Sequence, residues 1–247
     1  MRATDYSERF YRAWTQAKDL LTYRVRCGET DIQVSAKPVG SATDLKNRTR
    51  QLVNLYRSQI KKFIVRHPHF LYSLKPLALQ TEYEIIHGML EKSALAGVGP
   101  MATVAGAIAE HVGLELLPFT EELLIENGGD LFMSSRRDRT VLIYAGEDSP
   151  FSNKLRLRFR GRETPIGICT SSKHIGHSLS FGNADVSLII AGSAITADAF
   201  ATAVGNMVKS EEDIPSAMEF ATRCSEIEGG LIMIGERLGA WGTVELV

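Results

Sequence analysis

The segment from Gly167 to Asn206 reads GICTSSKHIGHSLSFGNADVSLIIAGSAITADAFATAVGN, which predicts a strand, a polar loop, a second strand and a helix. The apolar run from Val186 to Ala191 predicts the second strand, and the small residues after it predict a closely packed helix. In that helix Asp198 and Thr202 are four residues apart, so both side chains lie on one helix face. Because a buried carboxylate without a partner is costly, we expect Asp198 to have one.

Composition limits the class of protein. Hydrophobic residues make up 44% of the 247 residues and charged residues 23%, which is ordinary for a globular domain. A net charge of −1 gives no global field that would favour nucleic acid or a membrane surface. The three cysteines are too few and too scattered for a disulfide framework. The N-terminus lacks the apolar core of a secretion signal, and no apolar run is long enough to span a membrane, so we expect a cytoplasmic protein.

The N-terminal part of the chain predicts a hairpin followed by helices. Apolar and polar residues alternate from Leu20 to Cys27 and from Ile32 to Ala36, which is typical of a β-hairpin with one solvated face. An apolar stripe from about Asp44 to Arg66 predicts a long helix. Two further helices are predicted from about Thr81 to Ala94 and from Pro100 to about Val112, where proline favours the first turn.

The order of the remaining elements predicts the fold class. They are strands at Glu121–Glu126, Leu131–Met133, Thr140–Ala145 and Leu155–Arg160, a helix at about Ile214–Cys224, and a terminal hairpin of Leu231–Ile234 and Ala240–Leu246. Strands and helices are grouped instead of alternating singly, which predicts an α+β fold with a largely antiparallel sheet. Hairpins at both chain ends indicate one domain, 1–247, made of two pseudo-repeats at about 18–147 and 150–247. This duplication is inferred from element order only.

The sequence Asn127-Gly128-Gly129-Asp130 lies between two predicted strands. Asn-Gly and Gly-Gly-Asp are typical of a hairpin turn, because glycine tolerates positive φ. A plain hairpin is sufficient to explain these residues. The alternative is that the glycines let the backbone approach a ligand closely, with Asp130 or Glu126 at the rim of the site.

The segment from Gly97 to Ala102 fits a loose GxGxxA pattern at a helix start. A dinucleotide-binding fold needs a strand before this pattern, but residues Met89 to Ala96 predict a helix, so we reject that interpretation. Two interpretations stay open. The glycines form an anion site at the helix N-terminus, in which Gly99 contacts the ligand, or they make a tight turn between two helices.

Cysteine and histidine motifs each have a functional and a plain interpretation. The segment Gly176–Ser180 resembles a nucleophile elbow but lacks the final glycine and a following helix, so we give it little weight. Cys169 is either a nucleophile beside His174 or His177 or an apolar side chain that fills space in a strand. We favour the second interpretation, in which Cys169 is a filler. The sequence His67-Pro68-His69 contains metal ligands or simply caps a helix end.

Three segments, in this order, resemble the ApbE-like superfamily of flavin transferases. They are Asn127–Asp130, Thr170-Ser171, and Ala197–Thr202, which is similar to that superfamily's ADAxAT segment. The resemblance extends from about Gly97 to Asn206 and is closer to an uncharacterised cytoplasmic branch of the superfamily. It implies a duplicated T-fold, with antiparallel sheets and helices packed on one face, in agreement with the element order.

The resemblance also implies a set of site residues. Asp198 and Thr202 would hold Mg²⁺ beside the pyrophosphate of FAD, and hard oxygen ligands suit this metal. The implied residues around the cofactor, FAD or FMN, are Gly99, Gly128, Gly129, Asp130, Thr170 and Ser171. His177 is the candidate catalytic acid–base group by residue type.

The chain departs from the transferases at defined positions. It has Gly99-Pro100 where they carry Lys-Gly, and the segment His177–Gly182 keeps their histidine but lacks their Asp-Pro. Their N-terminal SxxSxxN stretch has no counterpart. We therefore expect a protein that binds a small ligand, flavin or another nucleotide, in a cleft beside Asp198 without a defined reaction.

Two alternatives to this expectation stay open. The first is a Mg²⁺-dependent FMN transferase. The second is a purely structural one, in which Asp198 is a carboxylate near a helix N-terminus and Thr202 packs in the core. The oligomeric state stays open as well, with a homodimer among the arrangements.

Overall fold

An eight-stranded antiparallel sheet forms the centre of the computed structural model, which describes residues 19–146, 149–151, 154–173 and 181–247. The strands are β1 (Leu21–Cys27), β2 (Thr30–Pro38), β3 (Thr120–Asn127), β4 (Asp130–Ser134), β5 (Arg139–Leu142), β6 (Arg156–Phe159), β7 (Ile166–Ser171), β8 (Val186–Ala191), β9 (Ile227–Ile234), β10 (Arg237–Gly242) and β11 (Glu245–Leu246). The helices are α1 (Ala42–Arg66), α2 (His69–Tyr72), α3 (Glu84–Ala96), α4 (Val104–Leu116), α5 (Ala194–Met207) and α6 (Ile214–Thr222), with 3₁₀ helices at Pro100–Thr103, Leu117–Phe119 and Glu211–Asp213.

The main sheet has the order β1-β2-β3-β4-β7-β8-β9-β10, and each neighbouring pair is antiparallel. Each half of this sheet consists of two hairpins with helices between them in the chain. The predicted α+β class and the antiparallel sheet are confirmed. The origin of the two halves by duplication stays a prediction.

Helices cover one face of the main sheet. The largest fully buried side chains of this core include Phe63, Phe70, Ile85, Ile86, Met89 and Leu116 from the helical layer. They pack against strand residues such as Ile32 and Ile125. Burial of a large apolar side chain contributes about 1.5–3 kcal/mol, so this layer supplies most of the driving force that holds the helices on the sheet.

A second, three-stranded sheet in the order β11-β6-β5 covers part of the opposite face. Leu157 and Phe159 of β6 are buried against Ile168 of β7 and Leu188 of β8. The sequence predicts strands here but not a second layer. The alternation of β6, which buries its apolar residues and exposes its arginines, is what allows a short strand to cover the sheet.

Some helix and strand boundaries differ from the predicted ones, because a capping side chain or a turn determines them. α1 begins at Ala42, since the Ser41 hydroxyl accepts a hydrogen bond of 3.3 Å from the Asp44 backbone N–H. α3 begins at Glu84, three residues after the predicted start. The turn of the terminal hairpin is shorter than the gap between the two predicted strands, because Ile234 pairs with Arg237.

No single helix among the described residues is long and apolar enough to cross a membrane. α3 and the segment Pro100–Phe119 pass that test together, as a pair that is bent by 105°.

Candidate functional site

α5 lies along β7 and β8. A Cβ atom on Gly167 of β7 would overlap the backbone of Ala194, so the first turn of the helix rests directly on the strand. The Ser193 hydroxyl caps α5 by accepting a hydrogen bond of 3.3 Å from the Thr196 N–H. Asp198 and Thr202 follow on one side of the helix, and each is only 7% exposed.

The partner expected for Asp198 is the N-terminus of another helix. Its Oδ2 accepts a hydrogen bond of 2.9 Å from the Gly106 N–H, in the first turn of α4. α4 has no side-chain cap of its own, because the Thr103 hydroxyl donates to the Pro100 carbonyl oxygen at 2.7 Å. Asp198 therefore supplies an acceptor for backbone donors that would otherwise lack one.

α4 in turn supplies a hydrogen-bond acceptor for the first turn of α5. Glu110 Oε2 accepts hydrogen bonds from the Ser193 hydroxyl at 2.7 Å and from the Ile195 N–H at 3.1 Å. We call these contacts, from Asp198 to α4 and from Glu110 to α5, the reciprocal helix caps. Gly106 permits them, because a Cβ atom there would overlap the Ala194 carbonyl oxygen and lie 2.8 Å from the Asp198 Cβ.

The turn between β3 and β4 is the predicted hairpin, with Asn127 paired to Asp130. Gly128 and Gly129 have φ of 72° and 103°, so both need the conformational freedom of glycine. The Asn127 side chain donates a hydrogen bond of 3.1 Å to the Ala105 carbonyl oxygen. This bond ties the turn to the start of α4, next to the Asp198 carboxylate.

Asp130 and Thr170 are bonded to each other across β4 and β7. Asp130, which is 4% exposed, accepts a hydrogen bond of 3.2 Å from the Thr170 N–H. The Thr170 hydroxyl donates to the Gly129 carbonyl oxygen at 3.2 Å. Both polar groups of Thr170 therefore hold the hairpin turn in place.

Burial sets the protonation of this cluster. It raises the pKa of Asp198 to about 7, against the lowering effect of the Gly106 and Ala105 N–H groups. Burial also raises the pKa of Asp130 well above its usual range, and the negative charge of Asp198 adds to this effect. The pKa of the Cys169 thiol is raised by burial and by both carboxylates, which fits the interpretation of Cys169 as a filler and not as a nucleophile.

Three hydroxyls near the end of α5 lack partners within the described residues. Thr202 and Ser171 are each 7% exposed and form no hydrogen bond there. Ser187, which pairs with Ser171 across β7 and β8, is fully buried, and its Oγ has no hydrogen bond. Gly205 packs against these two serines, since a Cβ atom on it would lie 3.4 Å from Ser171 Oγ. Asp198, Thr202 and the serines therefore line one side of α5.

Two other predicted groups lie elsewhere. Gly99 packs against a different part of the chain, because a Cβ atom there would overlap the Ser73 carbonyl oxygen. This contact favours the tight turn over the anion site. His177, the candidate catalytic residue, lies outside the described residues, as do His174 and the elbow-like segment Gly176–Ser180.

No group of three or more His, Cys, Asp or Glu side chains suited to a metal is found in the described part of the chain. His67 instead packs its ring against Phe63 at 4.5 Å between ring centres. The structural role favoured for helix-end histidines is consistent with this contact.

Gly106, Glu110 and Ser187 are not among the residues predicted for the site. A glycine inside a helix, followed four residues later by a glutamate, is a weak local signal of a close helix crossing. Nothing local indicates Ser187, because its lack of a partner follows from the packing of α5 on β8.

Comparisons with known proteins place the chain among relatives. A family model described as "AbpE bacteria" matches residues 12–224. A protein of Methanocella arvoryzae, named only "UPF0280 protein", is 36% identical over 75% of this chain and 76% of its own length. A "UPF0280 protein" of Methanobrevibacter smithii is 35% identical over 85% of this chain and 92% of its own length.

Solved structures show the same fold. The flavinyl transferase ApbE of Pseudomonas stutzeri, in its apo form, superposes with a TM-score of 0.54 and 12% identity, over 91% of this chain and 94% of that chain. The flavin transferase ApbE of Vibrio cholerae superposes with a TM-score of 0.53 and 13% identity, over 91% and 97%. At such identities the likeness concerns the fold alone.

Proposed function

The chain belongs to the family described as "AbpE bacteria", in the ApbE-like superfamily that its sequence resembles, and we propose that it binds a flavin nucleotide beside Asp198. The neighbours of the same fold are flavin transferases by name, whereas the relatives named "UPF0280 protein" have no ligand in their names. The observation that carries the proposal is the pair of buried oxygen groups on one face of α5, the Asp198 carboxylate, which has no cationic partner among the described residues, and the Thr202 hydroxyl, in one buried region with Asp130 and Ser171.

The residues fit a hard divalent cation such as Mg²⁺. Asp198 has no lysine, arginine or histidine partner among the described residues, and the Thr202 hydroxyl lies one turn away without a hydrogen bond. Carboxylate and hydroxyl oxygens are ligands that Mg²⁺ accepts. When bound, the cation would neutralise the negative charge of a pyrophosphate group.

The other residues of the site would orient the ligand. The Ser171 hydroxyl forms no hydrogen bond with the described residues and would donate one to a phosphate oxygen, whereas the Thr170 hydroxyl already donates to Gly129. Gly128 and Gly129 are the positions where the backbone of the turn would approach the ligand. The roles of Gly99 as a ligand contact and of His177 as an acid–base group stay predictions.

Binding without transfer is our preferred function, since the Lys-Gly and Asp-Pro positions of the transferases are missing. FMN transfer to a protein acceptor is the alternative. FAD recovered intact after long incubation with Mg²⁺ supports binding alone. Steady release of a product that contains AMP or FMN, detected by mass spectrometry, contradicts it.

Replacing Thr202 with valine tests the proposed site. We expect FAD to bind about tenfold more weakly in the presence of Mg²⁺, because one oxygen ligand is lost, which costs about 1.4 kcal/mol. The thermal midpoint without ligand should stay the same, since the hydroxyl forms no hydrogen bond in the described structure. Titration followed by flavin fluorescence measures the affinity. The Thr202→Ser variant is the matched control and should bind like the wild type, while equal affinity of the valine variant would reject the site.

A further inference from the structure

We infer that Asp130 is a second carboxylate ligand of the cation site beside Asp198, so that the chain binds a divalent cation before any nucleotide arrives. The inference rests on the proposed function only for the location of the site. It assigns Asp130 a role that a hairpin turn alone does not require.

The strand pairing places Asp130 on the helix side of the sheet. Leu131 and Ile168 are partners across β4 and β7, and both point into the core under the three-stranded sheet. Because side chains alternate along a strand, Asp130 and Cys169 point the other way, toward α5. The Thr170 N–H holds the carboxylate in this direction.

A short series of contacts connects Asp130 to Asp198. Cys169 lies opposite Asp130, next to the Leu131–Ile168 pair of β4 and β7, and its Sγ donates to the Ala194 carbonyl oxygen at 3.3 Å. Ala194 is four residues before Asp198, so the two are one turn apart on α5. Asp130 lies close enough to Asp198 for the charge of one to act on the other.

The other buried carboxylates of the described structure have cationic partners. Five aspartate and glutamate side chains are buried, namely Asp31, Glu122, Asp130, Asp185 and Asp198. Three of them have a cationic partner, and these ion pairs are Asp31–Arg24, Glu122–Arg139 and Asp185–Lys173. Asp130 and Asp198 have none among the described residues. Buried charges are paired or coordinate metals, so the ionised form of this pair needs a positive partner, and none of the described side chains supplies one.

The Thr202 hydroxyl is a second, independent observation in favour of a bound cation. It is more than nine-tenths buried, it forms no hydrogen bond with described residues, and it lies on the helix face of Asp198. Once a cation has displaced the protons that burial favours, two carboxylates and one hydroxyl form a hard, doubly negative donor set, which suits Mg²⁺ or Mn²⁺. Two negative charges attract the cation without help from phosphate oxygens.

The test uses the full chain, Mn²⁺ alone and no nucleotide. Calorimetric titration, with the loss of the free Mn²⁺ paramagnetic resonance signal as second readout, should show one bound ion per wild-type chain. The Asp130→Asn variant should bind Mn²⁺ at least tenfold more weakly. The Asp31→Asn variant, which removes a buried carboxylate that already pairs with Arg24, is the matched control and should keep the wild-type affinity.

Thermal melts separate a ligand role from a structural one. Asparagine at position 130 still accepts the Thr170 hydrogen bond, and it removes a charge next to Asp198. The metal-free variant should therefore melt no lower than the wild type, and Mn²⁺ should raise the wild-type midpoint more than the midpoint of the variant. Wild-type affinity of Asp130→Asn for Mn²⁺ would overturn the inference.

The two proposals fail in different ways. If the wild type binds FAD with Mg²⁺ while Asp130→Asn keeps its Mn²⁺ affinity, only the role of Asp130 is rejected. If the wild type binds Mn²⁺ through Asp130 but no flavin in any condition, only the flavin ligand is rejected and the two-carboxylate site stands.

Discussion

Replacing Gly106 with alanine should lower the free energy of unfolding by about 3 kcal/mol. The added methyl group would overlap the Ala194 carbonyl oxygen and approach the Asp198 Cβ to 2.8 Å, and neither group is a mobile side-chain end. α4 and α5 would have to move apart, which breaks the 2.9 Å bond between the Gly106 N–H and Asp198. The gain of about 1 kcal/mol from the helix propensity of alanine does not offset this loss.

Urea denaturation followed by circular dichroism measures the effect. Gly192→Ala is the matched control, because a Cβ atom at that position has no neighbour within 4 Å and the residue has no positive φ. This variant should unfold within about 1 kcal/mol of the wild type. If Gly106→Ala is as stable as Gly192→Ala, the close helix crossing described above is wrong.

The second large effect concerns pH. The pKa of Asp198 is about 7 in the folded protein and 3.8 for an ordinary aspartate, so the folded state holds a proton that the unfolded chain releases. The stabilisation of the fold by this bound proton is fully present below about pH 4 and is lost as the pH rises through about 7. The difference in pKa corresponds to at most about 4 kcal/mol. Asp130, whose pKa is also raised, acts in the same direction.

The Asp198→Asn variant removes this titration and keeps an oxygen that can accept from the Gly106 N–H. In buffers with EDTA, we expect the free energy of unfolding of the wild type, relative to the variant, to fall steadily from pH 4 to pH 8. Urea midpoints at each pH give this difference. A wild type that gains stability over the variant across this range would show that Asp198 is ionised in the fold at low pH.

Local signals explain what the sequence predicted well. The turn at Asn127–Asp130 follows from glycines that tolerate positive φ, and the long helix α1 follows from its apolar stripe. The strand β8 follows from a run that is apolar except for Ser187, which is typical of a strand buried on both faces. Each of these elements depends on neighbours within a few residues.

The partners of the site residues could not be predicted, because they are far away in the chain. Asp198 bonds to Gly106 across 92 residues, and Thr170 bonds to Asp130 across 40. Helix spacing correctly places Asp198 and Thr202 on one face, but it does not reveal that one carboxylate caps α4. The neighbour of Gly99 is also distant in the chain, since a Cβ atom there would overlap the Ser73 carbonyl oxygen, and its role as a ligand contact stays a prediction.

The reciprocal helix caps have a consequence for the order of events during synthesis. α4 leaves the ribosome first, yet the acceptor for its first turn, Asp198, follows 92 residues later. At about 5–20 residues per second, the exposed amides of α4 wait roughly 5 to 18 s for that acceptor. The nascent N-terminal half therefore stays incomplete during this interval, and water or a chaperone has to occupy the place that Asp198 later takes.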